Sequence, residues 1–142
     1  MTEKKKPDIF FVLGWITGLA FLLDLAANLG DPFEFLWYCS FSALLLTVGL
    51  FRKNRLLITM VFISSVPAQA LWILDFILQA LGHGLGRTAS FLSTAGPFVF
   101  WTALLLHLIL IPFSFYGVYR LGFYSRALGW ILLCVIIVLT FS

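Results

Sequence analysis

Three ionisable side chains stand inside long apolar runs of this sequence: Asp24, Asp75 and His107. Asp75 is the clearest case, because residues 71 to 79 around it read LWILDFILQ. A charged group at the centre of a membrane helix costs about 2.5–3.5 kcal/mol on insertion scales, so such groups usually face other helices and have partners. Carboxylates accept hydrogen bonds and balance cations, and an imidazole exchanges protons near neutral pH. These residue types therefore indicate binding of a polar ligand, with a proton relay as a second chemistry.

Helical spacing extends the ionisable residues into polar stripes. Gln69, Trp72 and Asp75 follow one another at intervals of three, and Asp24 and Asn28 are four apart, so each set shares one face of a helix. Counting 1.5 Å per residue places these stripes at mid-depth or in the outer half of a ~30 Å hydrocarbon core. We therefore predict a polar pocket open to the extracytoplasmic side. The predicted ligand-binding residues are Asp24, Asn28, Gln69, Trp72, Asp75 and His107.

A purely structural interpretation of the same residues stays open. Asp75 can reach the membrane interface, where a carboxylate costs little and Trp72 would be an ordinary interfacial aromatic residue. Asp24 can bond to His107 and hold two helices together, as buried polar groups in membrane bundles do. The two interpretations differ in whether the polar groups surround a shared cavity.

Sequence motifs for catalysis are absent. The chain contains no G-x-S-x-G, no H-E-x-x-H and no phosphate-binding P-loop. One imidazole and two carboxylates can bind a metal, but here each of them comes from a different apolar segment, so their spacing does not support a metal site. We predict no cofactor and no metal, and the sequence does not favour an enzyme.

The composition shows what kind of elements must position the polar residues. Of the 142 residues, 62% are hydrophobic and 11% are charged, whereas soluble domains have about 45–50% and about 25%. The apolar residues form several long runs, which is typical of an integral membrane protein. The basic residues that give the net charge of +3 lie in short clusters between these runs. Such clusters orient a chain in a bilayer, so we predict a lipid environment and no nucleic-acid partner.

Five segments approach the roughly 20 apolar residues that a membrane-spanning helix needs. The alternating pattern of a lipid-facing barrel strand is absent. The predicted fold is an all-α integral membrane protein, with residues 1–142 forming a single transmembrane domain and a bundle of five transmembrane helices. The predicted spans are 9–29, 33–51, 56–81, 98–119 and 125–141. The longest connection, 82–97, is predicted to lie on the outer surface or to dip back into it.

The connections contain residues that begin helices. Asp31-Pro32-Phe33-Glu34 supplies an N-cap, a proline for the first helical position and an acid in the first turn. Asn54 follows a basic turn and is predicted to cap the third helix. Gly96-Pro97 is predicted to open the fourth helix.

The distribution of lysine and arginine predicts the orientation. With the N-terminus inside, eight of the nine basic residues fall on the inner side and only Arg87 falls outside. The positive-inside rule therefore predicts that the N-terminus is cytoplasmic and the C-terminus is not. The three N-terminal lysines and the following apolar run also resemble a signal peptide. Because no convincing small-residue cleavage site follows the apolar core, we expect the first helix to be retained.

Three short motifs resemble a group of small, uncharacterised bacterial multi-span membrane proteins. They are WILDF at 72–76, His107 followed by Pro112, and RLGFYSRAL at 120–128. The similarity extends from about Trp37 to the end of the chain, and the first helix matches less well. That group has no established activity. The resemblance therefore implies a multi-pass protein of the bacterial inner membrane and nothing about its chemistry.

Three functions are compatible with these observations. The first is binding, and possible transport, of a small molecule or lipid headgroup in the polar pocket. The second is an accessory or assembly subunit of a larger membrane complex, which the small size and short polar loops suit. The third is an intramembrane enzyme that modifies lipid.

Overall fold

The computed structural model describes residues 8–29, 38–83 and 96–141, with the side chains of residue 38 and residues 135–141 excluded from the description. The described residues form five α-helices and no β-strand. The helices, in chain order, are α1 (Ile9–Ala27), α2 (Tyr38–Phe51), α3 (Arg55–Ala80), α4 (Pro97–Leu121) and α5 (Ala127–Phe141). The prediction of an all-α fold is confirmed for this part of the chain.

Three of the helices are long and apolar enough to cross a membrane. They are α1, α3 and α4, with 19, 26 and 25 residues. The helices α2 and α5 have 14 and 15 described residues, fewer than the roughly 20 that a span needs. The structure therefore supports a membrane protein, while five spans and the N-in orientation stay predictions.

The ends of the helices follow the capping residues that the sequence contains. The Asn54 side chain accepts hydrogen bonds from the backbone nitrogens of Leu56 (2.9 Å) and Leu57 (3.2 Å), which confirms the predicted cap of α3. Gly96 precedes α4 and Pro97 begins it, also as predicted. The predicted cap at 31–34 and most of the 82–97 connection lie outside the described residues.

The helices pack as a four-cornered bundle with α5 on its outside. α1 and α3 each contact both α2 and α4, so α1 and α3 occupy opposite corners, and α5 packs against α3. Within the four-helix bundle formed by α1 to α4, neighbouring helices run antiparallel. On α1 and α2, for example, Gly14 approaches Phe51 near one end and Asp24 bonds to Ser40 near the other.

The basic residues of the described chain gather at one end of the bundle, which we call the basic end. Lys53 pairs with Asp8 at 2.5 Å, so the turn after α2 meets the start of α1. Arg55 lies over the ring of Tyr124 at 5.2 Å, which joins the turn before α5 to the start of α3. The opposite end, where α1 and α3 finish and α2 and α4 begin, is the far end.

The interior near the basic end is mainly apolar. Leu46 and Leu50 of α2, Ile58 of α3 and Leu110 of α4 are completely buried, and they belong to one hydrophobic cluster. We call these four residues the aliphatic seal. The completely buried hydroxyls near this level, those of Thr17, Thr59 and Ser114, have hydrogen-bond partners within the protein.

A glycine allows the close approach of α3 and α4 beside the seal. A Cβ atom added to Gly117 would lie 2.6 Å from Cγ2 of Ile58, closer than side chains tolerate. Small residues at such positions let helices approach closely in membrane bundles, where dispersion contacts rather than the hydrophobic effect hold helices together. Gly117 therefore fixes how closely α3 and α4 pack, and with it the position of the residues farther along both helices.

Candidate functional site

Four of the six predicted site residues are buried in the interior of the bundle. Gln69, Asp75, Asp24 and His107 are between 3% and 7% exposed. The other two predicted residues, Asn28 and Trp72, are half-buried. The polar stripes of α1, α3 and α4 thus face inward rather than outward.

Asp24 is held by its neighbours on α1 and α2. The hydroxyl of Ser40 donates a hydrogen bond to Oδ2 of Asp24 at 2.8 Å, and both residues are buried. The side-chain amide of Asn28 donates to the backbone carbonyl of Asp24 at 3.0 Å, one turn along the same helix. Within the described residues no lysine or arginine forms an ion pair with Asp24. Its carboxylate therefore has a neutral donor and no counter-ion from the described chain.

The contacts of His107 fix the tautomer of its ring. Its Nδ1 lies 2.7 Å from the backbone carbonyl oxygen of Ala103, and a carbonyl can only accept, so Nδ1 carries a hydrogen. In the neutral ring Nε2 is then the acceptor. The ring stacks on Trp72 with 4.0 Å between centroids and 23° between planes, and Trp72 in turn lies parallel to Phe76 at 5.6 Å. This stack joins α3 to α4 at one level of the bundle.

Among the residues that the structure describes, two buried polar atoms on α3 have no hydrogen-bond partner. They are Oε1 of Gln69 and Oγ of Ser65, one helical turn apart. Ser65 is completely buried and Gln69 is 3% exposed. A buried polar group without a partner costs about 1–3 kcal/mol, and such groups in native structures call for a water, an ion or a ligand.

Contacts made by α2 show the height of Asp24 relative to α3. Counting residues along α2 between these contacts places Asp24 at about the height of the turn that holds Gln69. Asp24 bonds to Ser40, and nearer the basic end Gly49 packs on Ile58, where an added Cβ would lie 2.9 Å from Cγ1. Ser40 precedes Gly49 by about nine residues, and about nine residues beyond Ile58 the chain reaches the turn of α3 that holds Gln69.

The route through α4 gives a neighbouring level. The rings of Phe10 and Tyr116 are 5.8 Å apart near the basic end. Asp24 is about 14 residues above Phe10, which is level with Thr102, about 14 residues before Tyr116. Thr102 is itself buried, and it lies about one and a half turns above His107. The two counts both place Asp24 in the half of the bundle nearer the far end, at heights that differ by about two helical turns.

The structure places the predicted residues in the same half of the bundle, in two separate groups. Asp24 and Asn28 lie with Ser40 where α1 meets α2, and Trp72 and His107 lie where α3 meets α4. Among the described residues no hydrogen bond or ring contact joins Asp24 to Trp72 or His107. The structure therefore does not contain the bond between Asp24 and His107 that the structural interpretation allowed.

A small cleft lies away from this level. It has a volume of about 50 Å³, lies between α2, α3 and α5, and is lined mainly by apolar atoms of residues such as Phe41, Leu45 and Ile131. None of the six predicted site residues lines it.

Sequence reasoning missed two residues of this level, Ser40 and Ser65. Serine in a membrane helix commonly bonds to a carbonyl one turn back, as Ser64 does to Met60 at 2.6 Å, so a serine by itself carries little signal. In the described part of the chain no group of three His, Cys, Asp or Glu residues is arranged to hold a metal ion.

No family model, curated protein or solved structure matches the chain. The resemblance to small bacterial multi-span proteins therefore stays an expectation from the sequence. Arguments about function rest on the site itself.

Proposed function

We propose that this protein is a five-span protein of the bacterial inner membrane, with its N-terminus in the cytoplasm, that binds a small polar molecule or lipid headgroup. The binding site is the polar level of the bundle, formed by Asp24, Gln69, Trp72 and His107. With the N-terminus inside, this level lies in the extracytoplasmic half of the membrane. Asn28 and Asp75 belong to the wall of the same site.

The observation that carries the proposal is the unpaired oxygen of Gln69. Glutamine at 3% exposure inside an apolar bundle is unfavourable unless its amide is hydrogen-bonded. Oε1 has no partner in the described chain, and it lies one turn from the Trp72–His107 stack. A bound molecule that donates a hydrogen bond removes this cost, and a leucine of similar volume would avoid it altogether.

The surroundings of the polar level favour binding over passage. Polar side chains from four helices are buried at about this height: Asp24, Ser40, Gln69, Asp75, Thr102 and His107. Toward the basic end, the aliphatic seal closes the interior. A ligand that enters from the far end would therefore reach the hydrogen-bond acceptors of the polar side chains before it reaches the aliphatic seal. Transport would require the seal to open.

The substitution Gln69→Leu tests the proposal. We expect native mass spectrometry of the protein in mild detergent to show a bound small molecule or lipid on the wild type and none on the variant. We expect the delipidated variant to be more stable than the delipidated wild type by about 1–3 kcal/mol, because it no longer buries an unpaired oxygen.

Ser64→Ala is the matched control on the same helix, because the Ser64 hydroxyl already bonds to the backbone of Met60. This control should keep the bound molecule. If Gln69→Leu retains the molecule as the wild type does, or if the wild type carries none, Gln69 is not part of a binding site. The buried polar residues then serve to hold the helices together.

A further inference from the structure

We infer that the ligand of the polar level is a small organic ammonium ion, meaning a primary amine in its charged form. This inference rests on the proposed binding function and names the class of molecule that the site takes. It follows from three properties of the described residues: the hydrogen-bonding roles of their free atoms, the sign of their charge and the aromatic rings beside them.

The unpaired buried atoms that the structure describes at this level, Oε1 of Gln69 and Oγ of Ser65, can both accept a hydrogen bond, and the serine hydroxyl can also donate one. Oε1 of Gln69 has a lone pair and no donor. Nε2 of His107 is the acceptor nitrogen, because Nδ1 gives its hydrogen to Ala103. A ligand that satisfies both atoms must supply at least two N–H or O–H donors. An ammonium group has three N–H donors and no acceptor atom. The oxygens of a phosphate or carboxylate are themselves acceptors, so they could not donate a hydrogen bond to these atoms.

The charge of the interior has the sign that attracts a cation. Asp24 is buried, and the neutral Ser40 hydroxyl is the only donor to its carboxylate among the described residues. No lysine or arginine among the described residues is buried. An ionised carboxylate in a region of low dielectric constant is favourable only when an opposite charge or several donors compensate it. An ammonium ion supplies both the charge and the donors.

The rings beside the site favour an organic cation over a metal ion. Trp72, Phe76 and His107 form one stack, and Phe100 lies 6.0 Å from Phe76. Aromatic surfaces pack against the carbon atoms of an amine and attract its positive charge. A metal ion instead needs several anionic or imidazole ligands together, and the described residues contain no group of three.

Two sources supply this chemistry: a free amine such as ethanolamine, and the headgroup of phosphatidylethanolamine. The test measures binding to the full-length protein in nanodiscs of phosphatidylcholine, whose quaternary ammonium has no N–H donor. Ethanolammonium chloride is titrated with sodium chloride as the ionic-strength control and glycerol 3-phosphate as the anionic probe. In a parallel arm, phosphatidylethanolamine or phosphatidylglycerol replaces part of the phosphatidylcholine, and the thermal unfolding midpoint is recorded.

We expect a rise in the unfolding midpoint with ethanolammonium or with phosphatidylethanolamine, and the arm that responds identifies the source. Asp24→Asn should weaken this affinity by about tenfold or more, since hydrogen bonds to charged groups are worth about 1.5–3 kcal/mol. Gln69→Leu, which should fold at least as well as the wild type, should weaken it too. Ser64→Ala should not.

The other outcomes separate this inference from the proposed function. Stabilisation by glycerol 3-phosphate or phosphatidylglycerol that Gln69→Leu removes would overturn the ammonium assignment and keep a binding site at the polar level. If no probe shifts the midpoint and no molecule accompanies the purified protein, both the assignment and the proposed function are wrong.

Discussion

At the scale of single residues, Asp8 shows how one side chain can begin a helix and join two parts of the chain. Its Oδ1 accepts a hydrogen bond from the backbone nitrogen of Phe10 at 3.1 Å, and its carboxylate pairs with Lys53. The hydrogen bond from Lys53 is the main cause that lowers the pKa of Asp8 below its usual value. Both side chains are about half exposed, so the pair is screened by salt.

The lowered pKa of Asp8 predicts the direction of a pH effect. The folded protein binds the Asp8 proton less readily than the unfolded chain, so the stabilisation is complete above the unfolded pKa of about 3.9 and is lost as the pH falls through the lower folded pKa. We expect the unfolding midpoint of the wild type to fall more steeply between about pH 5 and about pH 2 than that of Asp8→Asn.

Asparagine is the appropriate replacement because it also caps helices, so the comparison isolates the charge. The difference between wild type and Asp8→Asn should shrink in about 1 M NaCl, where the Debye length is about 3 Å. Equal acid sensitivity of the two proteins at low salt would show that the pair with Lys53 contributes nothing to stability.

The polar residues also show what a sequence reveals at this scale and what it does not. Ionisable and amide side chains inside apolar runs are conspicuous, so Asp24, Gln69 and His107 were identified as interior residues without a structure. Their partners were not identified. The hydrogen bond from Ser40 to Asp24 depends on the relative position of α1 and α2 along their axes, and the sequence of either helix alone does not determine that position.

At the scale of helices, the apolar runs and capping residues predicted most boundaries to within two residues. α3 was predicted at 56–81 and observed at Arg55–Ala80, because Asn54 fixes its start. α2 was predicted from residue 33, whereas its described part begins at Tyr38. Spacing within one helix could not predict which helices are neighbours, since that depends on side-chain fit such as that of Gly117 against Ile58.

The contact between Gly117 and Ile58 predicts a destabilising substitution. In Gly117→Ala, the new methyl group would lie 2.6 Å from Cγ2 of Ile58, a β-branched side chain that is completely buried and has little freedom to turn. We expect a loss of about 1–3 kcal/mol, the usual cost of an extra methyl group in a packed core. Unfolding in mixed detergent micelles measures this loss.

A second substitution tests whether the collision is the cause. Ile58→Ala removes Cγ2, so Gly117→Ala should cost much less in that background, and the double-mutant cycle should show a clear coupling. Gly129→Ala is the control for the effect of alanine itself, since nothing lies within 4 Å of a Cβ added there. Additive losses at Gly117 and Ile58 would contradict the proposed contact.

At the scale of the whole molecule, the clustering of basic residues at one end of the bundle agrees with the orientation proposed from the sequence. Asp8, the turn at 52–54 and the turn at 122–126 lie together, while α3 ends and α4 begins at the opposite end. An asymmetric distribution of this kind is what the positive-inside rule uses. The numbers of lysine and arginine residues in each connection predict this clustering. Charges can be counted from the sequence one loop at a time, whereas helix packing cannot.

Labelling with a membrane-impermeant maleimide tests the proposed topology. In a background of Cys39→Ala and Cys134→Ala, which removes both free thiols, intact cells should label His83→Cys and Ser142→Cys and should leave Asn54→Cys unlabelled until they are permeabilised. Labelling of Asn54→Cys alone would reverse the orientation. Labelling of His83→Cys without Ser142→Cys would mean an even number of spans.

The aliphatic seal has a consequence for the cell that carries such a bundle. Leu46, Leu50, Ile58 and Leu110 are completely buried and form one apolar cluster across the bundle near the basic end. In a bilayer, such an apolar layer would oppose the passage of ions, because transferring a charge into an apolar region costs free energy. Polar chemistry could thus be housed deep within the bilayer without discharging the membrane that surrounds it.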